Sequence, residues 1–278
     1  MSRRKPIRNP LPTVTAAFIT VVFMLPVLWL VISAFRPEED IFRYLFPFEA
    51  QAIFPSRVTL DNFVALFDTG FGRQIFNSVF VALAAVAIGL FLNSLAAFAL
   101  SAIEFRGRGI VFSAVVLSFL IPFESIAIPL SDAVRSAGLG DTYFALIAPG
   151  VANGFAIFLL RQFFLEVPKE LAEAARMDGA SLWRTYWSIY LPLSKAPMIG
   201  AGLMIFLFQW SAYLWPLLVT NSPSMKLAPI ALAQFLGERN FDAGQMFAGG
   251  LVLAIIPILI IVPLQRYFTR SVAMTGVK

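Results

Sequence analysis

The chain has 278 residues, of which 59% are hydrophobic and 13% charged, with a formal net charge of +5 and neither cysteine nor histidine. So apolar a composition marks a polytopic membrane protein and excludes an ordinary soluble domain. The two missing residue types exclude thiol nucleophiles, disulfides, histidine general bases and Cys/His metal centres; the basic residues lie beside apolar runs, as membrane topology and not nucleic-acid binding requires.

The N-terminus is a positive cluster, Arg3, Arg4, Lys5 and Arg8, followed by an uncharged run over residues 13–35. That run exceeds the apolar core of a signal peptide and no Ala-x-Ala site follows it, so it reads as an uncleaved first membrane helix. The loop over residues 36–73 carries six acidic and four basic side chains. Within it Phe63, Leu66 and Phe67 follow Thr59-Leu60-Asp61-Asn62 at helical spacing, which predicts a short amphipathic helix sheltering its aromatics on the membrane face. Five more apolar stretches, residues 75–101, 110–130, 142–164, 197–220 and 243–268, each supply the roughly 20 residues that a crossing needs. The expected fold is all-α with six transmembrane helices: a membrane domain over residues 13–268, flanked by short segments 1–12 and 269–278.

Several residues inside the stretches carry chemistry. Glu124 sits between Pro122 and Pro129, where an ionisable group at membrane depth is a functional candidate; it equally suits a helix end, capping backbone opened by the prolines and facing water. Asn153, beside Gly154 and among Ala148, Gly150, Ala152 and Ala156, suits either a solute pathway or helix packing. In Gln209-Trp210-Ser211-Ala212-Tyr213-Leu214-Trp215-Pro216 the rings suit the apolar faces of a sugar, with Gln209 and Ser211 as hydrogen-bonding partners, or else form an interfacial aromatic belt and a proline kink. The candidate pathway residues are therefore Glu124, Asn153, Gln209, Trp210, Ser211 and Tyr213. Gly249-Gly250 in the last stretch permits a close helix contact.

The one long polar interruption with an ordered pattern spans residues 165–196. Pro168 opens a helix, and Glu170 and Glu173 fall early in it, where the helix dipole favours negative charge. Leu171, Ala174 and Ala175 give one small apolar face. Asp178-Gly179 breaks the helix near Met177, and Ser181 caps a second helix running towards Pro192. Six crossings place both termini on one side of the membrane. Fourteen of the basic residues fall on that side, together with this loop, and seven opposite, so the termini and the loop are read as cytoplasmic.

At this loop the chain resembles the inner-membrane permease subunits of bacterial ABC importers. Glu173-Ala174-Ala175, Gly179, Ile189, Leu191 and Pro192 fill each position of that family's signature, Glu-Ala-Ala, three residues, Gly, nine residues, Ile-x-Leu-Pro. Thr59-Leu60-Asp61-Asn62-Phe63 with Asn77-Ser78, Phe105-Arg106-Gly107-Arg108 and the tail Thr275-Gly276-Val277-Lys278 extend the likeness over essentially the whole chain, within the carbohydrate-uptake branch and its shorter, six-helix, maltose-type subunit. Leu160-Arg161-Gln162-Phe163-Phe164 and Tyr213-Leu214-Trp215-Pro216 also look like glycerol-phosphate permeases.

The resemblance implies that Glu173, Ala174, Ala175, Asp178, Gly179, Ile189, Leu191 and Pro192 form a coupling helix docked on an ATP-hydrolysing subunit. It further implies a second, different permease subunit, two ATPase subunits that hold ATP and Mg, an extracytoplasmic solute-binding protein and surrounding lipid. No Gly-x-x-x-x-Gly-Lys-Ser/Thr phosphate loop occurs in the chain, so an ATP site and any bound cofactor are expected elsewhere. The expected cargo is a sugar or oligosaccharide, with a glycerol-phosphate compound as the alternative. A secondary transporter would call for intramembrane charge pairs or an inverted repeat, and a membrane enzyme for clustered acid–base groups; apart from Glu124 the sequence offers neither.

Overall fold

The computed structural model describes residues 11–237 and 241–275, excepting the side chains of 266–275. The N-terminal basic cluster, Arg239, the tail residues 276–278 and the side chains of Arg266 and Arg270 lie outside the described residues. Among the described residues all regular structure is helical. The elements are α1 (Leu11–Ala34), α2 (Asp61–Asp68), α3 (Phe71–Ala102), α4 (Arg108–Leu120), α5 (Phe123–Ser136), α6 (Tyr143–Val151), α7 (Gly154–Leu165), α8 (Lys169–Met177) and α9 (Leu182–Thr185). A π turn over Tyr186–Tyr190 leads into α10 (Leu191–Leu193), α11 (Lys195–Trp210), α12 (Leu214–Val219), α13 (Ala228–Ala233) and α14 (Ala243–Thr275).

Three helices, α1, α3 and the Ala243–Gln265 part of α14, are each long and apolar enough to cross a membrane, and three bent helix pairs bring the number to six. The pairs correct the expectation of uninterrupted spans. The stretch expected over 110–130 breaks between α4 and α5 with a bend of 94°. Ile121, driven to an extended ψ of 120° ahead of Pro122, ends α4 there. The stretch over 142–164 bends by 41° between α6 and α7, and the stretch expected over 197–220 starts at Lys195 after an 84° bend and stops as a helix at Trp210.

The chain divides into two compact units. In the first, Met1–Gly70 with Leu232–Ala254, the chain end of α1 is finished by remote side chains. The short helix expected from the spacing of Phe63, Leu66 and Phe67 is α2, and its Asn62 donates from Nδ2 to the carbonyls of Ala34 (3.0 Å) and Arg36 (2.7 Å). These satisfy acceptors that the end of a helix leaves open. Of the aromatics expected to be sheltered, Phe63 stacks near Phe35 at 5.1 Å, whereas Phe67 is exposed. Asp40, almost fully buried, accepts from Arg57 at 2.9 Å. The Arg57 guanidinium is held above its ordinary pKa, first by hydrogen bonds to Asp40 and Glu39. Leu30 packs on Gly250, as the Gly249-Gly250 pair suggests.

The second unit, Phe71–Ala231 with Ile255–Lys278, is organised on α3, against which α6, α7 and α11 pack. At 32 residues α3 is about 48 Å long at 1.5 Å per residue, enough to cross the bilayer and emerge from it. Ala85, Ala97, Phe98, Leu160, Phe164, Ala201 and Ile205 form its main core. The bend in α6–α7 is accommodated by this packing. Pro149 has no N–H to give Ala145, four residues earlier, and Trp215 Nε1 donates to the Ala145 carbonyl instead at 2.9 Å. Asn93 of α3, 1% exposed, donates to the Val151 carbonyl at 2.9 Å and accepts from the Asn153 amide at 3.1 Å.

Trp215→Phe keeps a ring against Phe123 but removes the donor, so it is expected to lower stability by about 1–3 kcal/mol, the cost of a buried unmet acceptor. Pro149→Ala restores an N–H to the Ala145 carbonyl, so the same Trp215→Phe change is expected to cost far less in that background. Thermal unfolding of the four variants of this cycle in detergent measures the difference.

Candidate functional site

The polar loop over residues 165–196 folds as its pattern predicts. Helix α8 begins at Pro168, with Glu170 in the first turn and Arg176 in the last, both favourable to the helix dipole. It ends in a paired capping arrangement: the Ala180 amide donates to the Ala175 carbonyl at 2.9 Å and the Gly179 amide to the Arg176 carbonyl at 3.0 Å. Gly179 has φ +79°, a conformation that costs other residues about 1–2 kcal/mol, and there is open space where its Cβ would stand. Glycine is therefore required here by backbone geometry and not by crowding. Ser181 then caps α9, its hydroxyl accepting from the Arg184 amide at 3.2 Å.

The two halves of this elbow differ in burial. On α8 only Ala172 is buried, while Glu170, Leu171, Glu173, Ala174, Arg176 and Met177 are exposed, Met177 at 88%. Beyond Gly179 the chain is locked into the core of its unit. Tyr186, 1% exposed, shares a 2.7 Å hydroxyl–hydroxyl hydrogen bond with Ser94 of α3, and Tyr190 packs edge-on against Phe98 and Phe164 at 4.9 and 5.5 Å. Ile189 and Leu191 are half-buried against the same core, and Pro192 is exposed. The π turn lies immediately before Pro192, whose ring crowds the carbonyl of Ser188 and which has no N–H to offer it. Between the two halves lies a cleft of about 180 Å³ lined by Ala175, Asp178, Ala180, Arg184, Thr185, Ser188 and Ile189.

The six candidate pathway residues do not form one cluster. Asn153 caps α7, its side chain accepting from the Ala156 amide at 2.9 Å. Gln209 donates to the Leu146 carbonyl at 3.2 Å and fills the space beside Gly150, where a Cβ would lie 2.6 Å from its Oε1. Trp210 is buried and stacked on Phe206 at 5.7 Å. Ser211 and Tyr213 are exposed at the break between α11 and α12, and Glu124 is exposed in the first turn of α5.

Sequence patterns alone passed over Asn93, Ser94, Tyr186 and Asp141. The signal for Asn93 is a polar amide within a long apolar helix. Asp141, at φ +55°, accepts at Oδ1 from the Asn221 amide (2.8 Å), the Ser222 amide (2.9 Å) and the Ser222 hydroxyl (3.0 Å). These bonds, led by that of the Ser222 amide, hold its carboxyl below the ordinary carboxylate pKa. Asn77 secures the same segment by donating to the carbonyls of Ser224 (2.8 Å) and Lys226 (3.0 Å), and Ser78 accepts from the Ala228 amide at 2.8 Å.

A family model described as binding-protein-dependent transport system inner membrane component matches residues 85–274. The chain is 35% identical to the arabinooligosaccharides transport system permease protein AraQ of Halalkalibacterium halodurans, over 99% of each chain. It is 31% identical to the trehalose transport system permease protein SugB of Mycobacterium tuberculosis, over 92% of each. It is also 33% identical to the sn-glycerol-3-phosphate transport system permease protein UgpE of Yersinia pestis, over 73% of each. In fold it is similar to a chain of a bacterial ABC transporter involved in the import of the acidic polysaccharide alginate, with a TM-score of 0.81, 21% identity, and coverage of 96% of this chain and 99% of that one.

The Asp141 latch has a definite pH sign. Its folded pKa lies below the ordinary 3.8, so its stabilisation is fully present above that value and is lost as pH falls through the folded pKa. Asp141→Ala is expected to melt below the parent by a constant margin at higher pH, and that margin is expected to shrink below pH 3.8. Paired melting curves across the acid range check this.

Proposed function

The chain belongs to the family of binding-protein-dependent transport system inner membrane components, and we propose that its elbow at Gly179 is where one of two separate ATPase subunits drives it. Membership makes it a membrane permease subunit of an ABC importer. The observation that carries the coupling reading is the contrast across Gly179: an exposed helix α8 on one side, and on the other a segment fixed to α3 through Tyr186 and Ser94. A push on α8 is thereby delivered to a helix that runs the length of the unit.

In this reading the ATPase subunits hold ATP and Mg, and this chain, which has no phosphate loop, hydrolyses nothing itself. Glu173 meets a basic residue of the ATPase, Ala174 and Ala175 permit close approach, and Asp178 with Gly179 sets the angle between α8 and α9. Ile189, Leu191 and Pro192 hold the base of the elbow. Closure of the ATPases on ATP draws α8 and its counterpart on a second, different permease subunit together. The membrane helices then pass from inward-facing to outward-facing, an extracytoplasmic binding protein releases its solute, and hydrolysis resets the pair. Each partner need only bind one of the two conformations more tightly. Both termini and the elbow are cytoplasmic, in keeping with the excess of basic residues on that side.

The names of the relatives at 31–35% identity support a sugar or oligosaccharide as cargo. The second reading, a glycerol-phosphate compound, draws support from the relative UgpE. A phosphate site calls for guanidinium or ammonium groups. Arg161, near the end of α7, is committed to the Leu100 carbonyl at 3.0 Å and the face of Phe112 at 3.9 Å, which favours the sugar.

Gly179→Val forces a β-branched residue into a left-handed conformation at a cost of about 1–2 kcal/mol, which tilts α8 away from its docked angle. In proteoliposomes containing the whole importer, ATP hydrolysis is expected to persist while the solute moved per ATP falls severalfold below that of the parent. Full transport by that variant would overturn the assignment of the elbow.

A further inference from the structure

The loop that follows α1 presents an apolar surface for which the coupling reading has no use. Phe46 is 92% exposed, Phe54 75%, Val58 71% and Phe48 67%. Four large apolar side chains so exposed within residues 46–58 mark a contact surface, and the loop beneath them is ordered. Arg36, 1% exposed, donates from Nη2 to the carbonyls of Gln51 (2.7 Å) and Ala52 (2.9 Å), and Ile41 and Ala52 are fully buried. The amide of Thr59 donates to the Phe35 carbonyl at 2.8 Å. The chain therefore leaves α1 at residue 35 and is tied back to the same point at residue 59.

Three observations say what covers the rings. First, this tether keeps the loop at the end of a membrane span whose Val27, Leu28 and Val31, within about two turns of the fastening point, are exposed, so the apolar face of the span runs almost to the loop. Second, the exposed tip is phenylalanine, with no hydrogen-bonding edge. Protein interfaces anchor mainly through Trp, Tyr and Arg, and the headgroup layer selects Trp and Tyr, whereas a phenyl ring gains most from acyl chains. Third, residues 38–58 carry four acidic side chains (Glu38, Glu39, Asp40, Glu49) against two basic ones (Arg43, Arg57), so attraction to anionic lipid does not hold the loop down. We propose that Phe46, Phe48 and Phe54 are a membrane foot, inserted beneath the headgroups of the leaflet at the C-terminal end of α1. The proposal rests on α1 spanning the bilayer and is independent of the coupling elbow.

Because the chain has no cysteine, Phe46→Cys and Phe48→Cys each provide a single thiol for a nitroxide label. The full chain is placed in nanodiscs of phosphatidylcholine, with and without anionic phosphatidylglycerol. The ratio of collisions with dissolved oxygen to collisions with a nickel chelate is then measured at both sites, at a water-exposed reference Glu38→Cys, and at a mid-span reference Val21→Cys. The polar chelate is excluded from an apolar layer, so both loop sites are expected to exceed the Glu38 site at least about threefold and to approach the Val21 site, equally in the two lipids. Ratios equal to that at Glu38 would overturn the foot. So would protection that appears only when a binding protein is added, which would assign the surface to that protein, or depth that requires the anionic lipid.

Discussion

A helix in a bilayer has no water to take up a hydrogen bond that its own backbone drops, and this constraint governs the second unit more than any single packing contact. Pro149 withholds an N–H from Ala145, and the α6–α7 junction interrupts the ladder again at Val151 and Asn153. The freed groups are met by Trp215, Gln209 and Asn93, which come from α12, α11 and α3, and by the cap of Asn153 itself. The break thereby becomes a joint that three neighbouring helices hold from different directions. Removing Trp215 or Asn93 would take the donor from a carbonyl, that of Ala145 or Val151, at the bend of 41°.

Outside the apolar layer the same problem has a local solution. At the elbow the chain reverses through turn chemistry alone: two amides to two carbonyls across Asp178-Gly179, and a serine hydroxyl starting the next helix. Such a turn asks nothing of neighbouring helices, and α8 is accordingly free to expose Leu171 and Met177. The aromatic residues that follow reverse that freedom within a few positions. Tyr186 and Tyr190 reach α3 and α7, while Trp183 and Trp187 on the same segment are about half-exposed. The elbow thus has one exposed end, α8, and another tied to α3 through Tyr186 and Ser94.

The helices, their order and the boundaries of α8 were legible in the sequence because each depends on a short-range signal: an apolar run of the right length, a proline at a helix start, a glycine where φ must be positive. The glycine pair of α14 was legible for the same reason, whereas the role of Asn62 was not, because its two acceptors lie 26 and 28 residues earlier. The bends were not, although Pro122 and Pro149 were in plain view. A proline states which carbonyl loses its donor but not whether a remote side chain makes good the loss, as Trp215 does for Ala145. At Pro122, which drives Ile121 into an extended conformation, the chain turns by 94°. Asp141 was invisible for a related reason, since its three donors lie 80 residues further along the chain.

The same reasoning separates the polar residues inside the membrane region into two kinds. An amide in an apolar span draws attention as a solute contact, yet Asn153 and Gln209 spend their hydrogen-bonding groups on backbone that the α6–α7 bend has exposed, and Asn93 does so twice. Glu124, Ser211 and Tyr213 stand instead at helix termini and are exposed. Glu124 lies in the first turn of α5, at the end of the helix where backbone N–H groups have no intrahelical partner. The polar side chains of this unit thus divide between those that hold broken backbone together, Asn93, Asn153 and Gln209, and those that stand exposed at the helix ends, Glu124, Ser211 and Tyr213.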